Sequence, residues 1–167
     1  TAEHGRLLHE SHHDPLTGLT NRRGLLRALA EVDDDSSVAL LTIDLDEFKA
    51  VNDTWGHDAG DRVLVAVGER LRHGTRAIDL ACRIGGDEFV VLCAPIDGPD
   101  DLADLVGRLR DLPPLQVPAT RSTKVTASIG SVVVERGENL DAALRRADRS
   151  MFQAKRGTSP SAAAEAG

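Results

Sequence analysis

The sequence predicts an α+β domain, an α/β sandwich with helices packed on one mixed sheet. Three observations carry that expectation. The 167 residues contain no internal repeat and no linker long enough to divide them. Short, nearly pure runs of strand formers alternate with stretches of helical periodicity. A Gly-Gly pair joins two of those runs in the manner of a hairpin. A chain of this length buries roughly two-thirds of the surface its unfolded form exposes, so a sizeable core is within reach.

In chain order, residues 1–13, within TAEHGRLLHESHHD, have no partner of their own and read as the tail of a connecting helix from an upstream domain. DPLTGLTNRRGLLRALAEV begins in turn residues, after which Asn21 caps a helix carrying Leu25, Leu26 and Leu29 on one face. SVALLTID is a continuous apolar run that stops at an acid, as a strand buried on both faces does. DAGDRVLVAVGERLRHG places Val63, Leu64, Val67 and Leu71 at helical spacing from Asp58, with Gly74 as the stop. AIDLACRI and EFVVLCAP are the hairpin strands, joined through Gly85 and Gly86. DDLADLVGRLRDL is an amphipathic helix, PPLQVPATRS a loop and TKVTASIGSVVVE a strand. NLDAALRRADRSMFQAKRG closes the folded unit, residues 14–157, with Leu140, Leu144, Ala147 and Met151 along one stripe. The small, polar tail 158–167 reads as disordered.

Composition removes several classes of function. The formal net charge is −7, whereas a surface that binds DNA or RNA needs an excess of Lys and Arg; no nucleic-acid partner is expected. No apolar run approaches the roughly 20 residues of a membrane span. The N-terminus shows no charged start, apolar centre and small-residue cleavage site. The expected location is cytoplasmic, the cytoplasmic part of a larger, membrane-attached protein included. Cys82 and Cys93 are too few for a disulfide framework and lack zinc spacing, so they read as small buried hydrophobes.

The chemistry lies in the acids. In RIGGDEFVVL, Arg83 to Leu92, the turn needs only its glycines, while Asp87 and Glu88 are adjacent like charges that require a counter-charge. A second cluster occupies TIDLDEFKAVNDTWGHDAGD: Asp44 ends the buried strand, Asp46 follows, and Asn52, Asp53, Asp58 and Asp61 crowd the next segment. Asp58 or Asp61 alone is equally well read as a helix cap. Asp44 is different, because a carboxylate ending a buried strand needs a cation or several donors. If the hairpin lies beside that strand, Asp44, Asp87 and Glu88 point into one cleft. Oxygen ligands without His or Cys favour Mg²⁺ or Mn²⁺, bound together with substrate phosphates. A calcium loop fails on spacing, since the sixth position from Asp44 is Lys49 and the twelfth is Trp55. His13-Asp14 and His57-Asp58 suggest hydrolase chemistry, but neither has further histidines at ligand spacing. Lys49 and Lys155, singly read as solvated lysines, would neutralise phosphate in an acidic cleft.

GGDEF itself, preceded by DPLTGLTNRR and DLDEFKAVNDTWGHDAGD and followed by SIG and ADRSMFQAK, resembles the GGDEF family of diguanylate cyclases from Asp14 to Gly157. The resemblance implies a fold similar to nucleotidyl cyclase and polymerase palm domains, with a central mixed, mainly antiparallel sheet wrapped by helices and a GGDEF β-hairpin. It implies condensation of two GTP into cyclic di-GMP and pyrophosphate by two-metal-ion catalysis, with two Mg²⁺ or Mn²⁺ per active site. Asp44 and Asp87 would ligate the metals, helped by the Leu45 carbonyl and Glu88, with Asp87 also near the departing proton. Asn52 and Asp61 would bond the guanine edge, and Lys49 and Lys155 would meet the phosphates with Phe48 lining their approach. Each domain would hold one GTP, so a homodimer is required for catalysis, under the control of an upstream sensory domain.

RAID, Arg76 to Asp79, resembles the family's product-inhibitory RxxD site for cyclic di-GMP; read from the residues alone it is a salt bridge at the start of a strand. Arg108 or Arg110 would supply a second arginine. One departure concerns the phosphate end. The family commonly continues from the lysine through a glycine to an arginine, whereas KRGTSP has none, leaving Arg156 as a substitute and weaker GTP binding as the expectation. The rival functions are a retired cyclase domain that senses nucleotide and a purely structural dimerisation domain. The first has no chemical need to keep the acids together, and the second explains none of them.

Overall fold

The computed structural model describes residues 12–110, 115–116 and 124–157, with side chains in the last helix described as far as residue 153. Of the expected connecting helix over 1–13, residues 1–11 lie outside the described residues, as does the tail 158–167, while His13 forms an antiparallel bridge with Thr20. The elements are α1 (Arg22–Ala30), β1 (Ala39–Leu45), α2 (Phe48–Trp55), α3 (His57–Gly74), β2 (Leu80–Arg83), β3 (Glu88–Cys93), α4 (Pro99–Arg110), β4 (Leu115–Gln116), β5 (Lys124–Val125), β6 (Ala127–Val133) and α5 (Leu140–Gly157).

The apolar run ALLTIDL takes the centre of a four-stranded sheet of order β2-β3-β1-β6 because both of its faces are covered. On one face Leu41, Ile43, Phe89 and Val91 meet Val63, Leu64 and Val67 of α3 and Leu105 and Val106 of α4. On the other, Leu40, Val90, Leu92 and Cys82 meet Leu25 of α1 and Leu140, Ala143 and Leu144 of α5. The result is three layers, helix on sheet on helix. At Gly130 the helix α5 rests directly on β6, where a Cβ would overlap the Ala147 carbonyl.

Several expectations are refined. Every pairing in the four-stranded sheet is antiparallel; the mixed character is confined to one parallel bridge between Thr20 and Cys82, held by the Arg83 amide on the Thr20 carbonyl at 2.9 Å. α2 arises in the segment read as an acid-rich connection. Glu47, in the left-handed region at φ 56°, turns the chain out of β1, and the two-turn helix sets Phe48, Val51 and Trp55 along one side, Val51 buried in the core and the other two partly buried against it. Gly56, at φ 85°, separates α2 from α3 in a conformation that favours glycine. Within PPLQVPATRS, Leu115 and Gln116 form a short strand against Lys124 and Val125, and the last expected strand breaks at Thr126 into β5 and β6. Asn21 caps α1 as expected, its side-chain oxygen accepting from the Gly24 amide at 3.0 Å.

Candidate active site

The antiparallel register between β1 and β3 sets Asp44 directly opposite Glu88. Like charges so placed on one face destabilise a sheet unless something between them is positive. Asp44, Asp87 and Glu88 line one cavity of about 410 Å³, walled by β1, β3, the hairpin loop and α5. The neighbouring Asp46 is spent elsewhere: it accepts the Thr126 and Ser128 hydroxyls, each at 2.8 Å, and so ties the end of β1 to the start of β6. Two arginines also line the cavity, Arg22, which is bonded to Asp141 of α5, and Arg145.

The glycine loop is clamped from behind. Arg83 donates from Nε and Nη2 to the Gly86 carbonyl at 3.1 and 2.8 Å, and from Nη1 to both Asp14 carboxylate oxygens at 3.0 and 3.1 Å. Asp14 also accepts the Thr17 amide at 2.8 Å and the Thr17 hydroxyl at 2.7 Å. Burial by itself raises the Asp14 carboxyl, but the hydrogen bonds from Thr17 and Arg83 outweigh it and hold the group below the usual carboxylate value. The turn DPLTGLTN and the loop GGDE are therefore tied to each other through the Arg83 side chain.

The donor set fits a hard divalent cation. Asp44, Asp87 and Glu88 are carboxylates, the Leu45 backbone leaves the same strand end, and the Thr42 hydroxyl in the same cavity is buried without a hydrogen-bond partner among the described residues. No group of three His, Cys, Asp or Glu is pre-assembled around a point among those residues. Mg²⁺ suits such an open arrangement, because it takes one or two carboxylates and completes its shell with water and phosphate oxygens.

The remaining candidates lie apart from this cavity. Asn52 of α2 packs against Gly60, where a Cβ would overlap its amide, and Asp61 follows on the first turns of α3 along a groove shared with Leu16 and Arg62. Asn52 thus lies against the residue that precedes Asp61 at the α2–α3 junction. Phe48 is half-buried against the core and reaches toward Gly60. Lys49 is exposed on α2 and does not line the acid cavity. Lys155 and Arg156 belong to α5, but their side chains lie outside the described residues.

Arg76 and Asp79 meet each other. The guanidinium grips Asp79 through Nε and Nη2 at 2.8 to 3.1 Å and Asp101 through Nη1 at 3.0 Å, and the Asp79 side chain is fully buried. Asp79's hydrogen bonds raise the Arg76 pKa still further, against a smaller opposing effect of burial. Arg108 lines a groove with Arg76, whereas Arg110 approaches the Ile129 carbonyl at 3.5 Å.

A family model described as "Diguanylate cyclase, GGDEF domain" matches residues 11–160. The chain belongs to the GGDEF family. This GGDEF domain is 39% identical to the diguanylate cyclase TpbB of Pseudomonas aeruginosa, over 92% of this chain and 37% of that protein. It is 44% identical to the response regulator PleD of Caulobacter vibrioides, over 85% of this chain and 33% of that protein. The domain thus spans about a third of the length of these curated relatives. Among solved structures it superposes on diguanylate cyclase SiaD of P. aeruginosa, in complex with its activator SiaC, with a TM-score of 0.79, 38% identity and coverage of 94% of this chain and 63% of that one. The coiled coil and GGDEF domain of DgcB from Caulobacter crescentus, in complex with c-di-GMP, gives a TM-score of 0.77 at 29% identity, covering 94% and 87%. The family is one of nucleotidyl cyclases, metal-dependent in general.

Sequence reasoning passed over Arg83 and Thr42, and weighed Asp14 only as the neighbour of His13. DPLTGLTN and RIGG carried a signal in their turn residues and charge, but only folding brings two segments 69 residues apart into an ion pair. Thr42 carried none, since a threonine within a strand is ordinary.

Proposed function

We propose that this domain is an active diguanylate cyclase that condenses two GTP into cyclic di-GMP with release of two pyrophosphates. The observation that carries the reading is the convergence of Asp44, Asp87 and Glu88 on one cavity, with Asp44 and Glu88 cross-strand partners. Asp44 and Asp87, with the Leu45 carbonyl and Glu88, hold two Mg²⁺ or Mn²⁺ ions. When bound, these ions lower the pKa of the attacking ribose hydroxyl and stabilise charge on the α-phosphate. The 3′-oxygen of one GTP bonds to the α-phosphorus of the other, the bond to the pyrophosphate oxygen breaks, and the hydroxyl proton leaves by way of Asp87; the same step with roles exchanged closes the ring.

Asn52 and Asp61, both near the α2–α3 junction, pair with the guanine edge: the carboxylate accepts from its N–H groups and the amide donates to a ring acceptor. Lys49 and Lys155 meet the phosphates, beside Phe48. The Arg83–Asp14 clamp holds the loop in place for close approach of the triphosphate. Each copy of 14–157 supplies one half of the site, so a homodimer is the catalytic unit, working in the cytoplasm and set by an upstream sensory domain. Product inhibition uses Arg76 and Asp79 with Arg108, and the product must displace the bonds that Arg76 now makes to Asp79 and Asp101.

Incubation with GTP and Mg²⁺, followed by separation of the nucleotides, tests the reading. Cyclic di-GMP should form with wild type and vanish with Asp87→Ala. Unchanged GTP, even with the domain dimerised through a fused coiled coil, would overturn it.

A further inference from the structure

Thr42 stands two residues before Asp44 on β1, so both side chains leave the same face of the sheet. It is 6% exposed, it lines the cavity that holds Asp44, Asp87 and Glu88, and its Oγ1 has no hydrogen-bond partner among the described residues. Its cross-strand neighbours are Val90 on one side and Gly130 on the other, neither with a side-chain acceptor. An unmatched buried hydroxyl is costly, and valine would fill the same volume without that cost. A partner for the hydroxyl must therefore come from outside the described residues, and the cavity that Thr42 lines is where one can enter.

We propose that Thr42 is a positioning residue for the cation held at Asp44, its Oγ1 hydrogen-bonding a water of that cation's hydration shell. The assignment rests on the cyclase reading above. The Cα atoms of alternate strand residues are about 6.6 Å apart, a separation that one water between Oγ1 and a cation at Asp44 bridges. Mg²⁺ retains several waters, and hydrogen bonds to such outer groups fix which positions remain open to substrate. Thr42 thus sets the orientation of the coordination shell without touching the reacting atoms.

Mn²⁺ binding, followed by loss of the electron paramagnetic resonance signal of the free hydrated ion, tests the proposal. The nucleotide site is filled with 3′-deoxy-GTP, which has no attacking hydroxyl, and binding to nucleotide alone is subtracted. Thr42→Val should weaken Mn²⁺ binding about tenfold, and Thr42→Ser, which keeps the hydroxyl, should stay within about twofold of wild type. Cation-free Thr42→Val should melt no lower than wild type, because it removes an unmatched polar group. Equal Mn²⁺ affinity in Thr42→Val and wild type overturns the assignment but leaves the cyclase reading standing. So does an equal loss in Thr42→Ser, or a cation-free Thr42→Val that melts well below wild type. Wild type that binds no Mn²⁺ beyond the nucleotide control overturns both.

Discussion

At Gly86 a Cβ would meet nothing within 4 Å, and the backbone is not in the left-handed region. The fold alone therefore has no use for a glycine there, while close approach of a triphosphate does. Gly86→Ala should leave stability within about 0.5 kcal/mol of wild type and reduce cyclic di-GMP formation by about tenfold or more. Thermal melts and initial rates on the same preparation check it, and a variant with full activity would remove the nucleotide from that loop. The two cysteines behave oppositely to reactive thiols. Burial pushes Cys82 and Cys93 each up to about 12, from 9.0. Because the folded values are raised, their contribution to stability is complete below pH 9 and lost as pH rises toward 12. Iodoacetamide at pH 8 should leave both thiols of the native domain unmodified and alkylate both after denaturation.

Among the elements, the hairpin β2–β3 has the most consequential support. Asp14 and Arg83 are each 15% exposed, and removing one leaves the other partly buried and unpaired. Arg83→Ala should cost about 1–3 kcal/mol and lower turnover more than it raises KM, because the loop loses its fixed position rather than its ligands. Hydrogen exchange of the Ile84–Glu88 amides, measured beside kinetics, checks that link. Asp14 also supplies a pH signature. Its folded pKa lies below the ordinary 3.8, so its contribution is full above about pH 4 and disappears as pH falls through the folded value. Asp14→Asn should be less stable at neutral pH and show a flatter acid limb than wild type. A limb of unchanged slope would contradict the role given to the Thr17 and Arg83 hydrogen bonds.

For the whole molecule, one domain carries half of the proposed site, and rate then follows the concentration of paired domains. Specific activity should rise with enzyme concentration and level off, in step with the dimer fraction measured by sedimentation. Specific activity independent of concentration while the chain remains monomeric would exclude the two-domain scheme. Arg76 sits at the other end of the sheet, among Asp79, Asp101 and the Pro95 carbonyl. Arg76→Ala should abolish cyclic di-GMP binding in a titration and also lower the melting temperature, since it strips the fully buried Asp79 of its partner. Binding that survives the substitution would reduce RAID to the salt bridge that the structure displays.

By itself the sequence determined the alternation of strands and helices, the hairpin and the identity of the acids, because burial on a sheet or a helix face leaves periods of two and 3.6 that can be read directly. It left α2 unseen, since the stripe of Phe48, Val51 and Trp55 is only two turns long and is set among acids and polar residues that read as a connection, and it could not choose between Arg108 and Arg110. Tertiary structure alone decided that Glu88 faces Asp44, that Asp46 is consumed by Thr126 and Ser128, that Asp14 holds the glycine loop through Arg83, and that Thr42 opens into the same cavity. Each of these depends on register between segments distant in the chain, and register is set by the packing of the whole sheet, which no local pattern encodes.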